Sequence, residues 1–244
     1  MNSTTFTIPN DLLTRLSRLH HVTDASNPPS NLRHIHLRVT PEHVRFAATN
    51  GRMLAVLKAD LDDLQGDARE AILDVHQFND AIKAVQRGIP QRSNQRVNIT
   101  LTANEAKFST GNAAALVRQV PGTYPNVDHV FTRTEGQRWV PCLSSLNPDL
   151  ASVAQKLVGK TTVLFSSPVA ADATVSRLWT PGAPDDHKVP VSIAAMRSLV
   201  TAPAYWCDHE LALLVMPVSR AASERQLDLM AFVRQVPAAS AAAA

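Results

Sequence analysis

Aromatic residues and an excess of charge of one sign are both scarce in this sequence. Aromatic side chains make up 5% of its 244 residues, so we do not expect base stacking on an aromatic platform to be its main mode of binding. The formal net charge is +3 at pH 7, which permits contact with phosphate groups but does not demand it. A nucleic-acid partner is therefore allowed, whereas a dense basic arm is excluded.

Cysteines and long apolar runs are scarce as well. The two cysteines, Cys142 and Cys207, do not form a CxxC pair, and no clustered Cys/His spacing indicates zinc. No apolar run follows a basic N-terminal start, and no apolar segment approaches about 20 residues, the length that spans a bilayer. We therefore predict a cytoplasmic protein with reduced thiols, no metal or other cofactor, and no membrane partner.

Four segments repeat their apolar residues with the period of an α-helix. In residues 74–87, Phe78, Ile82 and Val85 share one face, and Asp74 is placed to cap the start. The other predicted helices span residues 10–21, 147–158 and 192–200, with Asn10 and Asn147 as the caps of the first two.

Between these helices apolar and polar residues alternate, which is typical of strands. The predicted strands span residues 34–39, 44–49, 97–101, 106–110, 114–120 and 211–218, the last of them apolar enough to be buried on both faces. Up to residue 126 the order strand, helix, several strands occurs twice, an internal repeat of roughly sixty residues. We therefore predict an α+β fold with amphipathic helices packed on antiparallel sheets.

The Pro-containing stretch at residues 121–125 is a natural domain boundary. We predict one domain at residues 1–126 and a second, with fewer strands, at residues 127–220. A flexible tail is expected at residues 221–244, where the chain becomes polar and then Ala-rich.

Three segments resemble the bacterial DNA sliding clamp family, the β subunit of DNA polymerase III, in the family's order. AATNGRMLAV at residues 47–56 resembles the family's ATDGHRLA, where a strand turns tightly into the next, and Asn50 and Gly51 both tolerate positive φ. GTYPN at residues 122–126, followed by Val130, resembles the linker G-x-F/Y-P-D/N-Y. LLVMPVSR at residues 213–220 resembles the closing strand YVVMPMRL. The chain therefore resembles a shortened, divergent member of this family.

The resemblance implies DNA-clamp domains of the processivity fold. It covers the family's middle domain almost completely, from Phe6 to about residue 126. It covers the C-terminal domain in part, through a helix at residues 147–157, strands within residues 163–177, and the closing strand. The family's first domain has no counterpart.

In this family similar domains close into a ring around duplex DNA, with helices lining the hole and strands forming the outer surface. Closure removes exposed sheet edges, and helix cations contact phosphates without reading sequence. The resemblance therefore implies DNA-facing roles for Arg15, Arg18, Lys83, Arg87 and Lys156. The alternative is that each of these is a solvated charge on an exposed helix face.

The family also has a pocket between its middle and C-terminal domains that accepts a short apolar motif from polymerases and other partners. Arg52 and Met53 replace the family's usual His-Arg pair, and His129 stands where a basic residue is common, which puts the pocket's specificity in doubt. The alternative is that the matching residues form only an interface core between domains. The implied pocket residues are Leu32, Thr49, Gly51, Arg52, Met53, Leu54, Pro125, His129, Val130, Leu214, Met216 and Pro217.

The predicted tail contains a sequence that resembles the peptide bound by this pocket. Gln226, Leu227, Asp228, Leu229 and Met230 resemble the pentapeptide QL[S/D]LF that partners present to the pocket. The resemblance implies that the tail docks into a neighbouring copy or binds a separate replicative β clamp. The alternative is an amphipathic end segment that packs on its own domain.

Two functions follow from this resemblance. The first is a DNA tether and polymerase processivity factor that self-associates into a ring, with three copies rather than two if the second region acts as a full domain. The second is a regulator or adaptor that captures a replicative β clamp through its tail motif.

An enzyme is the third class of function, and we do not expect it. No nucleophile elbow, P-loop, paired catalytic carboxylates or metal-ligand cluster is present, so no catalytic residue is predicted. The histidines at positions 20, 21, 34 and 36 are predicted to be surface residues.

Overall fold

The computed structural model describes residues 3–24, 32–61, 63–90, 94–127, 148–159 and 210–215, and the backbone of residues 138–141, 166–169 and 204–207. The chain divides into two compact units. The first holds Met1–His129, Pro148–Val163 and Trp206–Leu214, and the second holds Val130–Asn147, Leu164–Tyr205 and Val215–Ala244.

Four helices and twelve strands are described. The helices are α1 (Leu12–Leu16), α2 (His20–Asp24), α3 (Val75–Arg87) and α4 (Pro148–Val158). The first eight strands are β1 (Thr4–Ile8), β2 (His34–Val39), β3 (His43–Thr49), β4 (Met53–Asp60), β5 (Arg69–Asp74), β6 (Val97–Leu101), β7 (Glu105–Ser109) and β8 (Ala114–Arg118). The last four are β9 (Arg138–Pro141), β10 (Ser166–Val169), β11 (Ala204–Cys207) and β12 (Leu211–Val215).

Within the first unit, the elements up to β8 form two halves with the same order of strand, helix and three strands. The first half runs from β1 through α1 and α2 to β4, and the second from β5 through α3 to β8. The strands pair in the orders β5-β2-β3-β4 and β1-β6-β7-β8, and each pairing within these runs is antiparallel. The first strand of each half therefore completes the sheet of the other half, which joins the predicted repeat into one fold.

The core of this unit is built by the alternation that predicted the strands. In β2, Ile35 and Leu37 are buried completely on one face. Phe78 of α3 contacts Phe46 of β3, with ring centroids 6.0 Å apart, and Phe108 of β7 at 5.6 Å in an edge-to-face arrangement. Because Phe46 and Phe108 belong to different sheets, α3 links the two halves through one apolar cluster.

Helix α3 begins and ends as the sequence predicts. The Asp74 carboxylate accepts hydrogen bonds from the backbone N–H groups of His76 at 3.1 Å and Gln77 at 2.9 Å, which satisfies two donors of the first turn. Gly88 follows the last helical residue, and its N–H donates to Val85 O at 3.0 Å.

The predicted helix at residues 10–21 is wrong in its continuity, because it is broken into α1 and α2. Between them, successive N–H groups bond to carbonyls three residues earlier, as Arg18 N does to Arg15 O at 3.1 Å. The Ser17 hydroxyl donates to Thr14 O at 2.9 Å and competes with the helical pattern. Asp11, rather than the predicted Asn10, caps α1 by accepting from Leu12 N at 2.9 Å.

Helix α4 and residues 211–214 of strand β12 belong to the first unit, although both lie within the predicted second domain at residues 127–220. The reason is packing: α4 lies beside α2, and β12 adjoins β4 in the sheet, where Lys58 N donates to Glu210 O at 2.7 Å. In the second unit, β10 pairs antiparallel with β9 and meets β11 at Ser166 and Tyr205. The predicted helix at residues 192–200 lies outside the described residues.

In the two four-stranded runs β5-β2-β3-β4 and β1-β6-β7-β8, three of the four outer strands have another segment of backbone beside them. β4 is extended by β12. Thr5 of β1 exchanges two backbone hydrogen bonds of 2.8 Å with Gln65, and beside β5, Val120 N donates to Ile72 O at 2.7 Å. β8 has β7 as its one described strand neighbour. Helix α3 packs against β8, where Gln77 Oε1 accepts from Arg118 N at 3.2 Å and Asn112 Nδ2 donates to Gly88 O at 3.5 Å.

Within the described ranges, no helix combines the length and the apolar composition that crossing a bilayer requires.

Candidate functional site

The turn between β3 and β4 forms the centre of the predicted partner pocket. The Asn50 carboxamide oxygen accepts from Arg52 N at 2.9 Å and Met53 N at 2.8 Å, and Thr49 Oγ1 donates to Met53 O at 2.8 Å. Gly51 has φ +83°, a conformation that side chains with a Cβ rarely adopt. The sequence therefore fixes this turn through one side-chain amide and one glycine.

Several predicted pocket residues lie around this turn. A Cβ at Gly51 would lie 3.6 Å from Leu32 Cδ1, so the half-buried Leu32 is next to the turn. Gly51 and Arg52 are exposed, whereas Met53 and Leu54 are 1% and 5% exposed and pack in the core. These two buried side chains agree with the alternative of an interior role.

Only some of the remaining implied pocket residues lie in the part of the chain that the structure describes. Leu214 is 6% exposed in β12, the strand that adjoins β4, and Pro125 is exposed on the linker that follows β8. The assembly of all these residues into one pocket stays a prediction. His129, Val130, Met216 and Pro217 lie outside the described residues, as does the tail motif at residues 226–230.

The linker after β8 crosses the face of β2 that points away from the helices. The ring of Tyr124 stacks on the imidazole of His36, with centroids 4.9 Å apart and an interplanar angle of 12°. The Tyr124 hydroxyl donates to Ala47 O at 3.4 Å. Burial raises the pKa of Tyr124, so this hydroxyl stays protonated and remains a donor.

The prediction that His36 is a surface residue is wrong, because this residue is 8% exposed beneath Tyr124. Burial is the main reason that the pKa of His36 is lowered from 6.5, and the nearby Glu70 carboxylate, 3.5 Å from Nε2, opposes the shift. His36 Nδ1 has no hydrogen-bond partner in the part of the chain that the structure describes.

Beneath the linker lies a cavity of about 440 Å³ that the sequence analysis missed. Its floor is the outer face of β2, β3 and β5, and its wall is the backbone and side chains of residues 119–127. Arg38 Nε lies 3.1 Å from Glu70 Oε1, and Arg45 stands directly opposite Arg38 in the β2–β3 pairing. The alternation of His36 and Arg38 in β2 was a signal for this polar face, but nothing in the sequence placed the linker over it.

The helices lie side by side, and this arrangement is the candidate nucleic-acid interface. Gln86 of α3 donates through Nε2 to Thr14 Oγ1 of α1 at 3.3 Å. α2 packs beside both α3 and α4. The four helices are therefore one connected group, which we call the helix layer.

The five predicted DNA-facing cations lie on this layer in two different states. Arg15 Nη1 is 3.3 Å from Glu210 Oε2, and both side chains are 24% exposed. A Cβ at Gly159 would lie 2.6 Å from Arg18 Nη1, so the Arg18 guanidinium covers the end of α4. The cations that are exposed to solvent are Lys83, Arg87 and Lys156.

Metal chemistry finds no support in the described ranges. No group of three or more His, Cys, Asp or Glu side chains there is arranged to hold a metal ion.

Solved structures share the fold of this chain. No protein-family model matches the sequence, and no curated protein sequence matches it. The chain is similar to the DNA polymerase sliding clamp from Bacillus subtilis at 14% identity, over 88% of this chain and 64% of that one, with a TM-score of 0.56. It is similar to the sliding clamp from Pseudomonas aeruginosa at 16% identity, over 90% and 68% of the two chains, with a TM-score of 0.56.

A third solved structure extends the comparison. The DNA polymerase III beta subunit from Thermotoga maritima is 7% identical, with coverage of 88% of this chain and 65% of that one and a TM-score of 0.56. Coverage of 64%, 68% and 65% means that the chain spans about two thirds of the length of these clamps. The α+β DNA-clamp fold predicted from the sequence is confirmed, and this chain has the fold of the DNA polymerase III beta subunits at low sequence identity.

Proposed function

We propose that this chain is a sliding-clamp-like DNA tether and polymerase processivity factor, which self-associates into a ring around duplex DNA in the cytoplasm. The observation that carries the proposal is the helix layer backed by antiparallel sheets, in a chain with the fold of sliding clamps. In the proposed ring the helices would face the DNA and the sheets would face the solvent. The tether needs no chemical step, so no catalysis is proposed.

Contact with DNA is assigned to the exposed cations of the helix layer. Lys83 and Arg87 lie in the last turns of α3, and Lys156 lies in the last turn of α4. Exposed cations bind phosphates without sequence preference, and each contact strengthens the dependence of binding on salt. Arg15 and Arg18 make contacts within the unit and add to the local positive field.

Self-association is assigned to β8, which has no described strand on its outer side. Leu116 in this strand is 58% exposed, the large apolar side chain that the described chain exposes most. A strand edge that has no partner strand and carries an exposed apolar side chain is a template for pairing with another chain. At one end Gln77 Oε1 accepts from Arg118 N at 3.2 Å, so pairing would run along residues 114–116. Three copies are proposed if the second region acts as a full domain.

Partner recruitment is assigned to the turn between β3 and β4. Exposed Gly51 and Arg52 offer a polar rim, and Leu32 beside them offers an apolar wall. A polymerase or another protein with a clamp-binding motif would place its apolar anchor against this surface.

The tether is tested by retention on plasmid DNA. A ring assembled on a closed circle is expected to stay bound when the salt is raised to about 1 M, because topology does not depend on charge. Cutting the plasmid once should release it. Loss from the closed circle at high salt, or equal retention on cut and closed plasmid, would show that binding is electrostatic alone.

A second candidate function is a regulator or adaptor that binds a replicative β clamp. The observation that favours it is the tail sequence QLDLM at residues 226–230. The test is the light-scattering mass of the full chain mixed with a bacterial β clamp, beside a full-length variant with Leu229→Ala and Met230→Ala. A complex that only the unchanged chain forms would establish the regulator, and two unshifted peaks in both mixtures would exclude it.

A further inference from the structure

The cavity beneath the linker gathers positive charge on a small, partly enclosed surface. Arg38 of β2 and Arg45 of β3 stand directly opposite each other, and Lys58 of β4 stands opposite Arg45 on the other side. Like charges in directly opposed positions of an antiparallel sheet destabilise it. Arg45 therefore has a cation beside it on both neighbouring strands, and each of these cations lies near a carboxylate, Arg38 at 3.1 Å from Glu70 and Lys58 at 3.4 Å from Asp60.

The charge of the cavity matches a single negative charge. Among its described lining residues, Arg38 and Arg45 are cationic and Glu70 is the one carboxylate. His36 adds no charge at neutral pH, because its burial lowers its pKa below 6.5. The lining therefore carries a net charge of about +1, which suits a monoanion better than a dianion.

The shape of the cavity excludes large partners. Its volume of about 440 Å³ holds a side chain or a few residues of an extended peptide, but not a nucleic-acid duplex. Its floor is the sheet face opposite the helix layer, so it is separate from the cations proposed to face DNA. Pro125, an implied residue of the partner pocket, also lines the cavity.

We propose that this cavity binds the carboxylate group of an acidic side chain in a partner peptide, with the guanidinium groups of Arg38 and Arg45 as the donors. Planar guanidinium groups match a carboxylate in geometry and form charge-assisted hydrogen bonds. The shared Pro125 would let one peptide reach the apolar anchor site and the cavity together. The origin of the peptide rests on the proposed function, whereas the carboxylate chemistry does not.

The test is a titration of the full-length chain with sodium acetate at constant ionic strength, set by sodium chloride, and followed by NMR. Acetate should saturate and shift the Arg38 and Arg45 Nε–H signals and the amide signals of residues 119–127. Arg45→Gln should weaken acetate binding about tenfold, because it removes a charged donor. Arg45→Lys should bind acetate with an affinity between those of the unchanged chain and Arg45→Gln, because lysine keeps the charge but lacks the planar guanidinium group. Arg118→Gln, on an exposed position of β8, is the matched control and should bind acetate as the unchanged chain does.

Two results would overturn this site. Acetate shifts that do not saturate, or that are equal in the unchanged chain and Arg45→Gln, would show that no carboxylate site exists. Inorganic phosphate binding at least tenfold more tightly than acetate would make the cavity a phosphate site instead.

A third experiment distinguishes a failure of the carboxylate site from a failure of the proposed function. Arg52→Gln should leave acetate binding unchanged, because Arg52 does not line the cavity. The same variant should weaken a QLDLM peptide if the partner pocket is real. A failed acetate titration with an intact Arg52 effect would remove the carboxylate site alone.

Discussion

The two halves of the clamp-like unit share one order of elements but differ in what covers them. In β2 of the first half, the polar residue His36 is buried under Tyr124 of the linker. In β6 of the second half, Asn98 holds the matching place between two buried apolar residues and is exposed. The same strand pattern therefore gives a partly enclosed, charged cavity in one half and an open sheet face in the other.

The two halves also differ in what lies beside their outer strands. The edge of β4 in the first half is extended by β12, whereas β8 in the second half has no described strand on its outer side. The helices differ too, since the first half has α1 and α2 with a break between them and the second has the continuous α3. The outer strand β4 of the first half is therefore joined by a later segment of the chain, whereas β8 of the second half is bordered by α3.

The largest expected effect tests whether the halves are one cooperative structure. Phe78→Ala removes the ring between Phe46 and Phe108 and should cost about 3–5 kcal/mol of unfolding free energy. Urea denaturation measures this loss, and hydrogen exchange should report it equally in β3 and β7. Lys83→Ala, exposed on the same helix, should change stability by less than about 0.5 kcal/mol. Loss of protection in one half alone would mean that the halves fold independently.

The next effect compares the starts of the two helical segments. Asp74→Ala removes two hydrogen bonds to the first turn of α3 and should cost about 1 kcal/mol. Asp11→Ala should cost less, because Asp11 accepts one bond from the adjacent residue and begins a helix of five residues. Thermal or urea unfolding of both variants measures the difference, and an equal or reversed ranking would contradict the role assigned to the Asp74 cap.

The third effect compares cations on the two helical segments. Lys83→Ala and Arg87→Ala should each lower the slope of log binding constant against log salt for duplex DNA by about 1. Arg15→Ala should lower it less, since Arg15 is already paired with Glu210 at 3.3 Å. Fluorescence anisotropy with a labelled duplex at several salt concentrations supplies the slopes. A larger change for Arg15 than for Lys83 would place the DNA on another surface.

The smallest effect belongs to the buried histidine of the first half. The pKa of His36 is lowered in the folded chain, so between that lower pKa and 6.5 the unfolded chain binds more protons. Stability should therefore be highest above pH 6.5 and should fall as the pH drops below it, by less than about 1.4 kcal/mol per pH unit. His36→Gln should flatten the profile measured by urea denaturation, with a residual slope from His43, whose pKa is also lowered. An unchanged profile would mean that His36 does not contribute.

Local patterns were sufficient to predict much of this fold. The cap at Asp74, the glycine after α3, and the alternation in β2 and β6 are properties of neighbouring residues, and each is found where it was expected. β5 was not predicted, because two buried residues, Ala71 and Leu73, give too short an alternation, and its pairing with β2 is a long-range property. At the break after α1 the Ser17 hydroxyl bonds to the backbone, a local contact that a helical periodicity does not register.

Less of the candidate site could be predicted, because more of it depends on contacts between distant segments of the chain. The turn at Asn50 and Gly51 is local, and its hydrogen bonds follow directly from the sequence. The burial of His36 depends on a linker residue far along the chain, Tyr124, and the pairing of Arg15 depends on Glu210. Contacts between distant segments are set by tertiary packing, which no single segment of sequence encodes.

The central claim is the proposal that β8, which has no described strand on its outer side, joins copies of the chain into a closed oligomer. The most direct measurement is the light-scattering mass of the full-length chain after gel filtration, beside Leu116→Lys, which places a charge on that strand. We predict a single whole-number multiple of the chain mass for the unchanged protein and a shift toward the monomer for Leu116→Lys. A monomeric unchanged chain, or the same oligomer in both proteins, would contradict the account.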